Sequence, residues 1–166
     1  MEHELVNKAV KFASKAHAGV VRRWSGEPYV EHPKRVAAML AALGFGPEVV
    51  AAAVLHDVVE DTPVGAEALK FVFGAKVAAL VVEVSKPKNL PGNRAARRAA
   101  YRAHLAGASY EGASIKLADM IDNSANVAEH DPKFAAVYLP ELAEAAKVLE
   151  HGHPELKARL AANLGK

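Results

Sequence analysis

Apolar and polar positions alternate along this chain with the period of a helix. Between residues 3 and 18, Leu5, Ala9, Phe12, Ala13 and Ala16 fall on one face, with charged residues between them. Alanine is abundant, and β-branched residues never alternate cleanly with polar ones over a long run. Glycine and proline punctuate the pattern. The spacing predicts helices at about 3–18, 33–43, 47–61, 65–72, 75–83, 93–106, 112–129, 133–150 and 154–164. Pro33 opens the second helix, where a missing N–H is tolerated, and "GFGP" closes it. Two polar stretches, "GVVRRWSGEPYVE" (19–31) and "SKPKNLPGN" (85–93), read as loops. The expectation is an all-α fold, a single helical domain over residues 1–166 with C-terminal helices at about 133–164.

Composition narrows the chemistry. At 166 residues and 51% apolar content the chain is long enough for a real core and is not disordered. The net charge is only +2, and the basic residues cluster in one loop and one short stripe without a nucleic-acid reader motif, so no nucleic-acid partner is expected. There are no cysteines, so any metal must be held by His, Asp or Glu. The N-terminal segment is amphipathic and studded with charge, unlike a signal peptide. No run approaches the roughly 20 apolar residues of a membrane span. A cytoplasmic protein without a membrane partner is expected.

The stretch "AAAVLHDVVEDTP" (51–63) is the chemical anomaly, since an apolar helix ends in His56-Asp57 and then Glu60-Asp61. On a continuous helix His56 and Glu60 are four apart, as are Asp57 and Asp61, so all four share one sector. Clustered carboxylates repel one another unless a cation sits among them. Two further segments carry the matching groups. "VEHPKRVA" places His32 directly before a helix N-terminus. "ASIKLADMIDN" places Asp119 in an apolar stretch, where a lone carboxylate needs a partner. His32, His56, Asp57 and Asp119 together suit Zn²⁺, Mn²⁺ or Fe²⁺ rather than Ca²⁺.

These residues resemble the HD-domain metal-dependent phosphohydrolases. "GEPYVEHPKRVA", "VLHDVVEDT", "FGAKVAALVVEVSK" and "IKLADMIDN" further resemble the hydrolase domain of Rel/SpoT-type alarmone enzymes, in family order over about residues 12–127. The resemblance implies an HD-domain helical bundle that removes the 3′-pyrophosphate of (p)ppGpp, usually with Mn²⁺. It carries the metal-ligand role to His32, His56, Asp57 and Asp119. It carries water activation and proton handling to Glu60 and Asp61, undivided between them. Long family members continue into a synthetase domain, so a chain ending at Lys166 resembles the stand-alone small alarmone hydrolases.

Around this centre the sequence offers a nucleotide-binding rim. The resemblance places Arg22, Arg23 and Asn123 against the nucleotide, although Arg-Arg stands where the family has Arg-Lys, and Trp24 looks like an added residue. Trp24 suits either stacking on a base or packing on its own loop. Arg94, Arg98 and Arg102 form a stripe that reads as a phosphate-facing rim or as a solvated helix face. His17 reads as a structural neighbour, and Tyr138 as core or pocket border. Met120, Asp122, Ala125 and Val20 depart from the family pattern, and Asp122 adds negative charge beside the substrate. Hydrolysis of another nucleotide such as ppApp or NADPH, and a non-catalytic nucleotide-binding module, are therefore the competing functions. The oligomeric state is not legible.

Overall fold

The computed structural model describes residues 2–165, so Met1 and Lys166, which the single-domain reading includes, lie outside the described residues. The helical segments are α1 (Glu2–Ala16), α2 (Glu31–Ala42), α3 (Pro47–Leu55), α4 (Val58–Asp61), α5 (Ala66–Phe73), α6 (Ala75–Val84), α7 (Arg94–Ala106), α8 (Tyr110–Ser124), α9 (Val127–His130), α10 (Pro132–Lys147) and α11 (Pro154–Leu164). Extended pairing among the described residues is one isolated antiparallel bridge, Val21 to Pro28. The fold is all-α, as the periodicity predicts.

α3 is the central rod. Val49 to Leu55 are all buried, because α1, α2, α6 and α8 pack around them. Three consecutive alanines, Ala51 to Ala53, keep these helix axes close. A fully buried leucine such as Leu55 contributes roughly 1.5–3 kcal/mol relative to exposure. α8 is the second rod and packs on α2, α6 and α11. Its apolar residues from Ala113 to Ile121 enclose the Asp119 carboxylate. Side-chain caps start α7, α8 and α10, where Asn93, Ser109 and Asp131 accept from Ala96, Gly112 and Phe134 N–H groups.

Three expectations about helix boundaries are corrected. Helix α2 begins at Glu31, so His32 lies in its first turn rather than before it. Pro33 is tolerated there because first-turn N–H groups have no intrahelical partner. The expected helix 47–61 is divided after Leu55. The His56 N–H reaches back only three residues, to the Ala53 carbonyl at 3.5 Å, and its Nδ1 takes the same carbonyl at 2.7 Å. The His56 carbonyl accepts from the Ser85 hydroxyl at 3.4 Å. The expected helix 112–129 is likewise divided at Ala125 and Asn126, giving α8 and α9. Both divisions lie beside the site described next.

Candidate active site

Three rods present their ends to one point: the first turn of α2, the C-terminus of α3 and the middle of α8. His32, His56 and Asp119 offer ligand atoms that all lie within 4.8 Å of one another. His32 Nε2 is 3.0 Å from Asp119 Oδ1 and 3.6 Å from Asp57 Oδ2. His56 Nε2 is 3.1 Å from Asp57 Oδ2 and 3.3 Å from Asp119 Oδ1. The four residues predicted as ligands therefore converge.

The tautomers follow from the outer nitrogens. A carbonyl oxygen only accepts, so His56 Nδ1 donates to Ala53 and Nε2 carries the lone pair in the neutral ring. His56 Nε2 is buried without a hydrogen-bond partner. His32 Nδ1 donates to the Asp122 carboxylate at 2.6 Å, so in the neutral ring the Nε2 lone pair faces Asp119 Oδ1 at 3.0 Å. Two lone pairs and two carboxylate oxygens facing one point repel unless a cation lies among them. This donor set fits a divalent first-row metal.

Electrostatics agree. Burial opposes a charge on His56, but Asp57 and Asp119 outweigh it and hold the imidazolium well above its usual range. Burial likewise opposes charge on Asp57, yet His56 and His32 bring its carboxyl down to about 2. Asp119 is buried too, and Lys116 and His56 hold it well below the usual carboxylate range. The far oxygen of Asp119 accepts from Lys116 Nζ at 2.6 Å. The near oxygen also accepts from Asn123 Nδ2 at 2.7 Å. The two buried carboxylates thus favour positive charge at this point.

Glu60 and Asp61 stand on α4, and the division of the helix corrects the expected stacking of Glu60 over His56 but not that of Asp61 over Asp57. The Asp61 N–H still bonds the Asp57 carbonyl at 2.9 Å, which keeps Asp61 one turn above Asp57. Tyr29 donates to Asp57 Oδ2 at 2.7 Å and contacts Asp61 Oδ2 at 3.4 Å, bridging the two. Desolvation, then the charges of Asp57 and Glu60, push the Asp61 carboxyl up to about 6. Glu60 accepts from the Lys86 N–H at 3.0 Å.

The rim separates two neighbours. Arg22 Nη1 donates to Asn123 Oδ1 at 3.1 Å, and Arg22 Nη2 lies 3.9 Å from Asp122. Arg22, Asn123, Tyr29 and Tyr138 line a cavity of about 360 Å³. Arg23 borders the same cavity, but it lies over the Trp24 ring and 3.7 Å from Asp131, with 71% of its side chain exposed. Residues 23–25 form a turn, closed by the Gly26 N–H on the Arg22 carbonyl at 3.0 Å, with Val21 and Pro28 bridged at its base. Gly26, at φ +69°, makes the return turn. Trp24 stacks on His130 with ring centroids 6.0 Å apart and tilts on Phe134 at 6.2 Å. It is packed on α9 and α10 and walls both the 360 Å³ cavity and a neighbouring one of about 440 Å³.

Several groups are more than the sequence reading made of them. Tyr29 lies in the quoted "GEPYVEH", Lys116 one helical turn before Asp119, and Asp122 one turn after it. Asp122 does not burden the site with free charge, because His32 and Arg35 occupy it. His17 is buried against the Tyr29 ring at 4.9 Å, a structural neighbour as expected. Arg94 and Arg98 both pair with Glu141, so the arginine stripe ties α7 to α10.

A family model described as an HD domain matches residues 9–138, and the chain belongs to the HD-domain family. Within it, the chain is 54% identical over 74 residues to a guanosine-3′,5′-bis(diphosphate) 3′-pyrophosphohydrolase of Haemophilus influenzae, covering 45% of this chain and 11% of that protein. It is 40% identical over 129 residues to a probable chloroplastic GTP diphosphokinase of rice, covering 72% of this chain and 18% of that protein. These matches span a minor part of much longer proteins. A solved structure, a metazoan ortholog of SpoT described as hydrolysing ppGpp, superposes with a TM-score of 0.88 at 27% identity. That match covers 97% of this chain and 94% of the other. No helix among the described residues is long and apolar enough to cross a membrane.

Proposed function

We propose that this chain is a metal-dependent hydrolase that removes the 3′-pyrophosphate of (p)ppGpp. His32, His56, Asp57 and Asp119 would hold a divalent cation, Mn²⁺ in the reading we favour. The observation that carries the proposal is the convergence of two anchored imidazoles, each with its Nε2 facing inward, on two buried carboxylates. The alarmone substrate is supported by the HD-family membership and by the relatives' activities.

When bound, such an ion neutralises phosphate charge and acidifies a coordinated water. The chain's own groups do the rest. Asp61, with a carboxyl pushed up to about 6, suits a base that takes a proton near neutral pH. Glu60, on the same turn, would share that role by orienting the water or passing a proton to the departing 3′ oxygen. Water adds its oxygen to the 3′-linked phosphorus, the bond to the ribose oxygen breaks, and that oxygen takes up a proton. The products are pyrophosphate and GDP or GTP. Arg22 and Asn123 line the adjoining cavity and would hold the nucleotide.

A second reading has one observation behind it. Arg23 borders the cavity but is paired with Asp131, so part of the rim's positive charge is already offset. That would suit a less highly charged nucleotide than pppGpp. The test is hydrolysis of ppGpp, pppGpp, ppApp and NADPH with Mn²⁺, with products separated by chromatography and Asp57→Asn as the blank. Pyrophosphate from a guanosine alarmone, absent in the blank, is expected. Release of inorganic phosphate from NADPH alone would replace the alarmone reading with the second. No turnover with metal bound would favour a nucleotide-binding module.

A further inference from the structure

We propose that Asp122 is the positioning residue that sets the metal affinity of this centre by fixing the His32 imidazole. The inference rests on the reading that His32, His56, Asp57 and Asp119 hold a divalent cation. Asp119 and Asp122 are three residues apart on α8, so both side chains leave the same face. They grip opposite nitrogens of one ring. Asp119 Oδ1 faces His32 Nε2 at 3.0 Å, and Asp122 Oδ2 takes the Nδ1 proton at 2.6 Å.

Asp122 is itself held. Arg35 donates to both of its oxygens, from Nε at 2.7 Å and Nη2 at 3.1 Å. Arg35 Nη2 also reaches Glu27 at 2.8 Å. His32 and Arg35 are three residues apart on α2, so this helix lowers a ring and a guanidinium onto one carboxylate of α8. The Asp122 carboxylate cannot swing away without losing all three bonds. The His32 side chain is 1% exposed, and its Nδ1 proton has Asp122 as its acceptor.

The two imidazoles are thus anchored by different chemistry. His56 Nδ1 is held by a backbone carbonyl, which carries no net charge. His32 Nδ1 is held by an ionised carboxylate, which fixes the tautomer and makes Nε2 the more basic ligand atom. Negative charge at Asp122 therefore acts on the metal through the ring, while Arg35 keeps that charge from repelling a phosphate.

The test titrates Mn²⁺ into the EDTA-treated, desalted full chain by calorimetry, for wild type, Asp122→Asn, Asp122→Ala and Arg35→Gln. Thermal unfolding in EDTA reports the fold of each variant independently of metal. Asp122→Ala should weaken Mn²⁺ binding about 10–100-fold. Asp122→Asn, whose carbonyl still accepts from Nδ1, should lose less, and Arg35→Gln less again. In turnover assays the Mn²⁺ concentration for half-maximal rate should rise with the same ranking. Mn²⁺ affinity within twofold of wild type in folded Asp122→Ala would overturn the proposal. Should Asp122→Ala not fold, unchanged affinity in Asp122→Asn overturns it equally. Absence of Mn²⁺ binding in wild type would instead remove the metal-centre reading, and this inference with it.

Discussion

The floor and the rim of this site are built on opposite principles. On the floor each group proposed as a metal ligand is held from behind: His56 by Ala53, His32 by Asp122, Asp119 by Lys116 and Asn123, and Asp57 by Tyr29. On the rim the cationic and aromatic groups hold one another. Arg22 leans on Asn123, Arg23 lies over Trp24, and Trp24 stacks on His130. Buried charge needs fixed partners, because each unpaired group is costly away from water. Exposed cations have no such need, and their direction follows the path of the loop. The floor is therefore rigid chemistry and the rim adaptable recognition.

The largest effects should come from the floor. Asp57→Asn or Asp119→Asn removes a ligand and should abolish both metal binding and turnover, read by calorimetry and product chromatography. Next is the pair on α4. Replacing Glu60 and Asp61 together by Gln and Asn should lower kcat by about 10²–10⁴-fold with Mn²⁺ affinity kept near wild type. Loss of metal along with activity would make them ligands rather than proton carriers.

The floor should also respond to pH. The two histidines are held above their ordinary range by Asp57, Asp119 and Asp122 once the opposing effect of burial is overcome. Metal and proton compete for the same nitrogens, so acidification favours the protonated, metal-free form. Mn²⁺ affinity should fall as pH drops, by up to about tenfold per pH unit for each proton displaced. Calorimetry at several pH values reads this directly, and a flat profile would mean the histidines are not ligands.

The rim should give the smallest and most unequal effects. Arg22→Gln should raise KM for nucleotide about tenfold, the worth of one charge-assisted hydrogen bond. Arg23→Gln should change it by less than about twofold, as for an exposed ion pair. Equal effects would erase the distinction between these neighbours.

The same contrast explains what was legible in the sequence. His32, His56, Asp57 and Asp119 stand out because carboxylates and histidines inside apolar runs demand partners. The family motifs then fix which ones meet. Helix existence was legible from period and from Gly and Pro. The division at His56 and Asp57 was not, because both residues keep right-handed helical backbone angles and no breaker residue marks them. What stops the helix is tertiary: the Ser85 hydroxyl from the end of α6 and the histidine's own ring. Asp122 was misread as unneutralised charge, since its partners His32 and Arg35 are about 90 residues away in the chain and arrive only when α2 packs on α8. The different partners of Arg22 and Arg23, Asn123 and Asp131, are about 100 residues away and no local pattern announces them.

The most direct test follows bound metal and pyrophosphate release together. EDTA-stripped protein would be titrated with Mn²⁺ in the presence of ppGpp, and metal occupancy and products measured on the same samples, beside Asp119→Asn. The account predicts that GDP and pyrophosphate appear in equal amounts, in proportion to occupied sites, and that both signals vanish in the variant. Pyrophosphate release that persists in EDTA, or in Asp119→Asn without bound metal, would contradict it.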